Sequence, residues 1–189
     1  MAEPSQRIAK FLIVFVVAVI LIKSFTGSGF FEAKDHKGKG YYVKIPVGWT
    51  KIKKEKGVVF PQGVEFVQFI PKGVDPEIVP PAATISIYSK KLTTPIWIED
   101  EFSDMVQSLR EAGYEVKDKG KIKMDDQISG WVVYYDQKAN VLNLEFYIVS
   151  ENNLFFKIQY SAKPDKFQEN RHSFEELRNS FKFRFSVFN

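Results

Sequence analysis

The segment Val141–Tyr160, VLNLEFYIVSENNLFFKIQY, contains two runs in which every second residue is apolar or aromatic. This alternation is typical of half-buried β-strands, because successive side chains of a strand point to opposite faces of the sheet. Between the runs, Asn152-Asn153 suits a tight turn with positive φ. The segment therefore predicts an antiparallel hairpin. The alternating residues are Leu142, Leu144, Phe146 and Ile148, then Leu154, Phe156, Ile158 and Tyr160.

Neighbouring runs extend this hairpin into a sheet. Tyr114–Met124 and Ile128–Tyr135 precede it with only short turns between them, which predicts an antiparallel meander. Further strands are predicted at Tyr41–Ile45, Trp49–Lys53, Val64–Ile70 and Ala83–Ser89.

The apolar period changes to that of a helix between these two groups of strands. Ile98, Phe102, Met105, Val106, Leu109 and Ala112 form one helical stripe. Thr94 is the predicted N-cap, Pro95 the first helical residue, and Gly113 the end.

Four carboxylates crowd the first half of this helix and raise the alternatives of a metal site or a simple electrostatic role. They are Glu99, Asp100, Glu101 and Asp104. Acidic side chains near a helix N-terminus complement the helix dipole. The spacing of a calcium-binding loop is absent, so the dipole interpretation is favoured.

A second helix is predicted near the C-terminus, with Phe167, Phe174, Leu177 and Phe181 on one face. Ser173 and Glu176 resemble a capping box, which predicts a break near residue 172. The tail FKFRFSVF, from Phe181 to Phe188, alternates aromatic and basic residues. It is interpreted as an edge strand with its cations in water, the alternative being contact with lipid or single-stranded nucleic acid.

The N-terminal run Phe11–Ile22, FLIVFVVAVILI, has no polar side chain and favours membrane insertion by roughly 3 to 6 kcal/mol. Extended to Ile8–Phe25 it spans about 27 Å, close to the hydrocarbon thickness, if Lys10 and Lys23 reach the headgroups. A retained signal anchor is favoured over a cleaved signal peptide, since small residues at cleavage spacing are poorly placed. The globular part is expected to face the outside of the membrane.

The composition excludes several kinds of chemistry and argues against a nucleic-acid partner. The absence of Cys excludes disulfides, thiolate chemistry and lipoprotein attachment. Of the net charge of +4, residues 1–25 contribute +2, from three basic residues and one acidic residue, which leaves +2 for the rest. A nearly balanced domain does not match the basic surface of a nucleic-acid-binding protein.

The sequence lacks the motifs of common catalytic and nucleotide-binding sites, such as a P-loop, G-x-G-x-x-G, G-x-S-x-G or H-E-x-x-H. Lys37-Gly38-Lys39-Gly40 is too short for a phosphate loop. The two histidines, His36 and His172, would have to meet in space to form an acid–base or metal site. Asp125-Asp126 is interpreted as a turn. A site built from distant carboxylates stays open.

Several short segments resemble the PsbP-like family over residues 41–185. The matching segments are Ile45-Pro46-Val47-Gly48-Trp49, Phe102 to Gly113-Tyr114-Glu115-Val116, Gly130-Trp131 to Tyr135, Leu154–Tyr160, and Phe174-Glu175-Glu176-Leu177 leading to Ser180-Phe181. The resemblance implies a three-layer α/β/α sandwich around an antiparallel sheet.

Members of that family are mostly non-enzymatic accessory proteins. The name-giving member is a subunit of photosystem II that helps to hold calcium and chloride, a cytosolic relative binds a Ran-type GTPase, and bacterial relatives lie in the cell envelope. A retained anchor differs from the photosynthetic subunits. Only the fold is carried over, because no ion-binding residue of the family can be matched in this sequence.

The sequence thus predicts an α+β protein in three parts: a membrane anchor at residues 1–25, a flexible tether at 26–40 and a PsbP-like domain at 41–189. We expect a single-pass membrane protein whose extracytoplasmic domain is a non-enzymatic accessory or binding module. Its partners would be the membrane and a protein of a membrane complex, with no nucleic acid. No catalytic, cofactor or metal residues are assigned. The alternatives are a calcium- or small-ligand-binding module of the photosystem II type, and an enzyme with dispersed carboxylates.

Overall fold

The structure, a computed structural model, describes residues 33–52, 63–75 and 82–184. The predicted anchor lies outside these ranges, as do the N-terminal part of the predicted tether and the tail beyond Arg184. In the described ranges no helix is long and apolar enough to cross a membrane. The strands are β1 Lys34–Gly38, β2 Tyr41–Ile45, β3 Trp49–Lys51, β4 Val64–Pro71, β5 Ala83–Lys91, β6 Glu115–Met124, β7 Gln127–Asp136, β8 Val141–Val149, β9 Leu154–Ala162 and β10 Lys182–Phe183, and the helices are α1 Ile98–Glu111 and α2 Phe167–Asn179.

In the described ranges the strands form two sheets, and the predicted meander is confirmed as four adjacent strands that reach one edge of the larger sheet. Its seven strands run in the order β3-β4-β5-β9-β8-β7-β6, and each neighbouring pair is antiparallel. The turn between β8 and β9 places Asn153 at φ 56, as predicted for this hairpin. The smaller sheet has the order β1-β2-β10. The chain is therefore an α+β protein built mainly on antiparallel pairing.

The two helices pack on opposite faces of the seven-stranded sheet. Successive residues of β8 show this, because Tyr147 is buried in the cluster beneath α1 while Phe146 and Ile148 belong to the larger cluster beneath α2. The helical stripe predicted for α1 is confirmed at Ile98 and Phe102, whose side chains are buried in the cluster on that face. Burial on both faces explains why β8 and β9 carry large apolar side chains.

The predicted start of α1 is wrong by three residues. Helix α1 begins at Ile98, and the N-cap position holds Trp97 in extended conformation with no capping side-chain hydrogen bond, in place of Thr94. Residues 93–97 instead carry the chain from β5 to the region of the sheet that α1 covers. Gly113, with φ +86, follows the end of the helix as predicted.

The predicted break near residue 172 is also wrong, because α2 is continuous from Phe167 to Asn179. Phe167, Phe174 and Leu177 are buried together, and only an unbroken helix holds them on one face. His172 pairs with Glu176 one turn later at 3.2 Å, so this glutamate does not cap a helix start.

The flexible tether predicted over residues 26–40 does not extend through residues 34–38, which form β1 in antiparallel register with β2. The strand was missed because it lies at the edge of a small sheet and buries a single side chain, that of His36. Gly38 is required by close packing, since a Cβ there would lie 2.0 Å from the Tyr41 ring. The compact unit accordingly begins at Ala33.

Candidate functional site

Trp97 is the most exposed large apolar side chain in the described part of the chain, with 67% of its surface open to solvent. Its backbone is extended, with φ −113 and ψ 124, and the next residue, Ile98, is 2% exposed and packs on the sheet. Because consecutive side chains point in opposite directions in extended backbone, burying Ile98 turns the indole outward. The packing of Ile98 therefore keeps the Trp97 side chain exposed to solvent.

Exposed carboxylates follow Trp97 along the solvent side of α1. Asp100, Glu101 and Asp104 lie three, four and seven residues after Trp97, and their spacing within the helix places the three on one side of α1. All three are exposed. We call Trp97, Glu99, Asp100, Glu101 and Asp104 the Trp97 ridge.

The ridge has a rigid base. The Trp97 carbonyl accepts hydrogen bonds from the backbone N–H groups of Asp100 at 3.1 Å and Glu101 at 3.0 Å. Lys121 of β6 donates from Nζ to the Glu99 carbonyl at 2.7 Å, which ties the first turn to the edge of the sheet. The acids complement the helix dipole, as the sequence predicted, but that role does not require an exposed indole. Aromatic side chains are enriched in protein interfaces, and the carboxylates make this surface electrostatically complementary to a basic partner.

A buried carboxylate lies deeper on the same face of the sheet. Glu145 is 2% exposed and accepts hydrogen bonds from the hydroxyl groups of Tyr134, at 2.9 Å, and Tyr147. Lys157 Nζ donates to Glu145 Oε1 at 3.2 Å. Burial, and then the charge of Glu145, raises the pKa of both tyrosine hydroxyls well above the ordinary value, so both stay protonated and act as donors. Each carboxylate oxygen therefore has a partner, as a stable buried charge requires.

A second group of hydrogen-bonded polar side chains lies beside Glu145 on the same face of β8 and β9. Asn143 Oδ1 accepts from Gln159 Nε2 at 2.9 Å and from Ser161 Oγ at 2.6 Å. No buried side-chain nitrogen or oxygen in the described ranges is left without a hydrogen-bond partner. The buried polar groups on this face thus satisfy one another's hydrogen-bonding capacity.

The structure places the two histidines in separate surroundings. His36 is buried in β1, where its ring meets Phe69 edge-on with centroids 5.5 Å apart and its Nε2 lies 3.3 Å from the Tyr41 hydroxyl. His172 is exposed on α2 and pairs with Glu176. Burial, and then the charge of Lys51, lowers the pKa of His36 and keeps its ring neutral near pH 7.

The other candidate residues of the sequence also have definite positions. Asp125 and Asp126 form the turn between β6 and β7, with φ 44 and 66, as predicted. Among the residues that the structure describes, no group of three His, Asp or Glu side chains is arranged to hold a metal ion. Lys37 and Lys39 belong to the β1–β2 hairpin.

Two features were missed at the sequence level. The exposure of Trp97 depends on where α1 begins, for which Thr94-Pro95 was a misleading signal. The burial of Glu145 was missed because Asn143, Glu145 and Tyr147 alternate with apolar residues, a pattern normally typical of a solvent-facing side. The presence of a tyrosine at the second residue after Glu145 is a weak signal in retrospect.

No protein-family model matches this chain, and no curated protein matches its sequence. The seven-stranded antiparallel sheet, with one helix on each face, has the PsbP-like fold found in solved structures.

Three solved structures illustrate this likeness. The solution structure of CyanoP, the cyanobacterial PsbP of Synechocystis sp. PCC 6803, aligns with a TM-score of 0.56 at 13% identity over 84% of this chain and 96% of its own. LpqN of Mycobacterium tuberculosis, described as involved in cell envelope biogenesis, aligns with a TM-score of 0.58 at 12% identity over 82% of this chain and 91% of its own. The Ran-binding protein Mog1p of Saccharomyces cerevisiae aligns with a TM-score of 0.50 at 11% identity over 80% of this chain and 96% of its own. At these identities the likeness establishes the fold alone.

Proposed function

We propose that this protein is a membrane-anchored, non-enzymatic accessory domain that binds a protein of a membrane complex through the Trp97 ridge. The observation that carries the proposal is the exposed indole of Trp97 among carboxylates on a rigid helix start. A large aromatic side chain on ordered backbone provides contact area with little loss of conformational entropy on binding. The partner surface would be a basic segment with an apolar side chain that covers the indole.

The accessory role is supported by how the buried polar groups are used. Glu145, the carboxylate with the surroundings expected of a catalytic acid or base, is occupied by two hydroxyls and an ammonium group. Proteins with this fold include a Ran-binding protein and one involved in cell envelope biogenesis, both of which agree with a binding role. Anchoring by residues 1–25, with the domain outside the cytoplasm, is proposed from the apolar run Phe11–Ile22 and its flanking cations.

The proposed interaction can be tested by site-specific photocrosslinking in membranes of the source cells. A benzophenone amino acid is placed at position 97 of the full-length chain, and a matched control carries it at Gln168, an exposed position on α2. We expect one discrete crosslinked protein from position 97 and not from position 168. Charge reversal at Asp100 and Asp104, with the probe kept at 97, should reduce the yield at least fivefold.

Equal products from positions 97 and 168, or a yield that charge reversal leaves unchanged, would refute the Trp97 ridge as the binding surface. Turnover of a substrate by the purified chain would contradict the accessory role.

Calcium or small-ligand binding is retained as the alternative that the resemblance to PsbP-like proteins implies. It can be examined separately, by comparing the melting temperature of the purified full-length chain with calcium and with a chelator. A calcium-dependent increase that persists after reversal of the ridge carboxylates would favour this alternative.

A further inference from the structure

The outer face of the three-stranded sheet is basic. In β2, Tyr41 and Val43 are buried, so Tyr42 and Lys44 between them point away from the core. Residues opposite one another in antiparallel strands share a face, and the register therefore adds Lys37 and Asp35 of β1 and Lys182 of β10. Arg184 follows two residues after Lys182, and its backbone N–H donates to the Gly40 carbonyl at 2.9 Å, which continues the pairing past β10. We call Asp35, Lys37, Tyr42, Lys44, Lys182 and Arg184 the basic sheet face.

Cations outnumber carboxylates on this face. Asp35 accepts a hydrogen bond from the Tyr42 hydroxyl at 2.5 Å, and Lys182 pairs with Asp125 at 2.9 Å. In the described ranges Lys37, Lys44 and Arg184 have no carboxylate within ion-pair distance, and all three are exposed. Three exposed cations around a half-buried tyrosine form a surface complementary to anionic headgroups, where tyrosine also sits favourably.

The position of this sheet in the chain favours a membrane over other anionic partners. Residues 26–33, eight in number, separate the predicted anchor from Lys34 at the start of β1. A fully extended chain of that length spans about 28 Å. If residues 1–25 anchor the chain, β1 is limited to that distance from the bilayer surface.

We propose that the basic sheet face docks on the anionic lipid headgroups of the membrane in which the chain is anchored. This inference rests on the anchoring proposed above, and it assigns the orientation of the domain. Helix α1, which carries the Trp97 ridge, packs on one face of the seven-stranded sheet. Tyr41 and Val43 of the small sheet belong to the apolar cluster on the opposite face. Docking the small sheet on lipid would thus leave the ridge free for a protein partner.

The absence of cysteine in the chain permits a clean test with single labels. The full-length protein is reconstituted into vesicles of phosphatidylcholine alone or mixed with phosphatidylglycerol, with a fluorophore on Asp35→Cys. The matched control label is on Ser103→Cys, an exposed position of α1. Quenching by headgroup-labelled lipid reports how close each label is to the bilayer surface.

We expect strong quenching at position 35 only in phosphatidylglycerol vesicles, weak quenching at position 103 in both, and loss of the effect in high salt. Lys37→Glu with Arg184→Glu should weaken docking about fivefold or more per reversed cation. Lys117→Glu with Lys119→Glu on β6 makes the same change in net charge and should leave quenching intact.

The outcomes separate the two proposals. Vesicle flotation in a density gradient reports whether the protein is bound to the vesicles. If the protein floats with both kinds of vesicle, but quenching at position 35 is the same in both and is unchanged by the Lys37 and Arg184 reversals, the docking proposal is overturned and the anchor stands. If the protein floats only with phosphatidylglycerol vesicles, and loses this on reversal of Lys37 and Arg184, the anchor is overturned and the basic sheet face binds anionic lipid without it. If it floats with neither, both proposals are overturned.

Discussion

Polar side chains at buried positions show how single residues are stabilised in this protein. Glu145, buried under α1, is stabilised by hydrogen bonds that Tyr134, Tyr147 and Lys157 donate to it. His36 is stabilised in the opposite way, since burial between Phe69 and Tyr41 favours its neutral form. Converging donors thus satisfy the buried carboxylate of Glu145, whereas burial favours the neutral form of His36.

His36 should make the stability of the fold depend on pH. Its pKa is lowered from 6.5, so above that pH the ring is neutral in both the folded and the unfolded state and contributes nothing to the pH dependence. Below 6.5 the unfolded chain binds a proton that the folded chain does not, and the free energy of unfolding falls until the pH reaches the folded pKa. Denaturant titrations at pH values on both sides of 6.5 should show a decrease in the free energy of unfolding at the lower pH, which His36→Gln removes. The matched control is His172→Gln on exposed α2, and an unchanged pH dependence in His36→Gln would contradict the prediction.

Helix α1 lies close to the sheet because one residue of β7 has no side chain. A Cβ at Gly130 would lie 2.3 Å from Phe102 Cδ2, well inside van der Waals contact. Phe102 is 4% exposed and forms the centre of the contact between α1 and the sheet. The pairing of a glycine on the strand with an aromatic ring on the helix therefore sets how closely these two elements pack.

Gly130→Ala should lower the free energy of unfolding by about 1 to 3 kcal/mol, because the added methyl group forces Phe102 and α1 to move. The same change should cost less in a Phe102→Leu background, where the smaller side chain leaves room. A double-mutant cycle by urea denaturation measures this coupling. Equal costs in both backgrounds would show that the close contact does not determine the packing of α1.

The described part of the molecule is one unit in which the small sheet and the seven-stranded sheet share a core. Tyr41 of β2 stacks with Phe181, with centroids 5.9 Å apart, and meets Phe156 of β9 edge-on at 5.7 Å. Asp125 adds a polar link at the surface, where Oδ2 accepts from the Phe183 backbone N–H at 2.7 Å and Oδ1 from Lys182 Nζ at 2.9 Å. Strand β10 is thus hydrogen-bonded to the turn between β6 and β7.

Asp125→Asn should weaken the hydrogen bonding between β10 and this turn, because an amide group offers one acceptor oxygen where the carboxylate offers two. Asparagine tolerates the positive φ at this position, so the substitution adds little backbone strain. We expect a loss of about 1 to 2 kcal/mol of stability and faster hydrogen exchange at the Phe183 amide. Asp126→Asn, in the same turn with its side chain 91% exposed, is the matched control and should leave exchange at Phe183 unchanged.

The sequence by itself determined the meander, because Leu142 to Ile148 and Leu154 to Tyr160 alternate strictly and a two-asparagine turn joins them. It also determined the buried stripe of α1, since helical periodicity depends only on local geometry. Only the tertiary structure decided that β1 is a strand and that Glu145 is buried, because both depend on segments distant in the chain packing against them. The exposure of Trp97 belongs to the same group. It follows from the point at which α1 meets the sheet, and no local pattern within residues 93–97 encodes that contact.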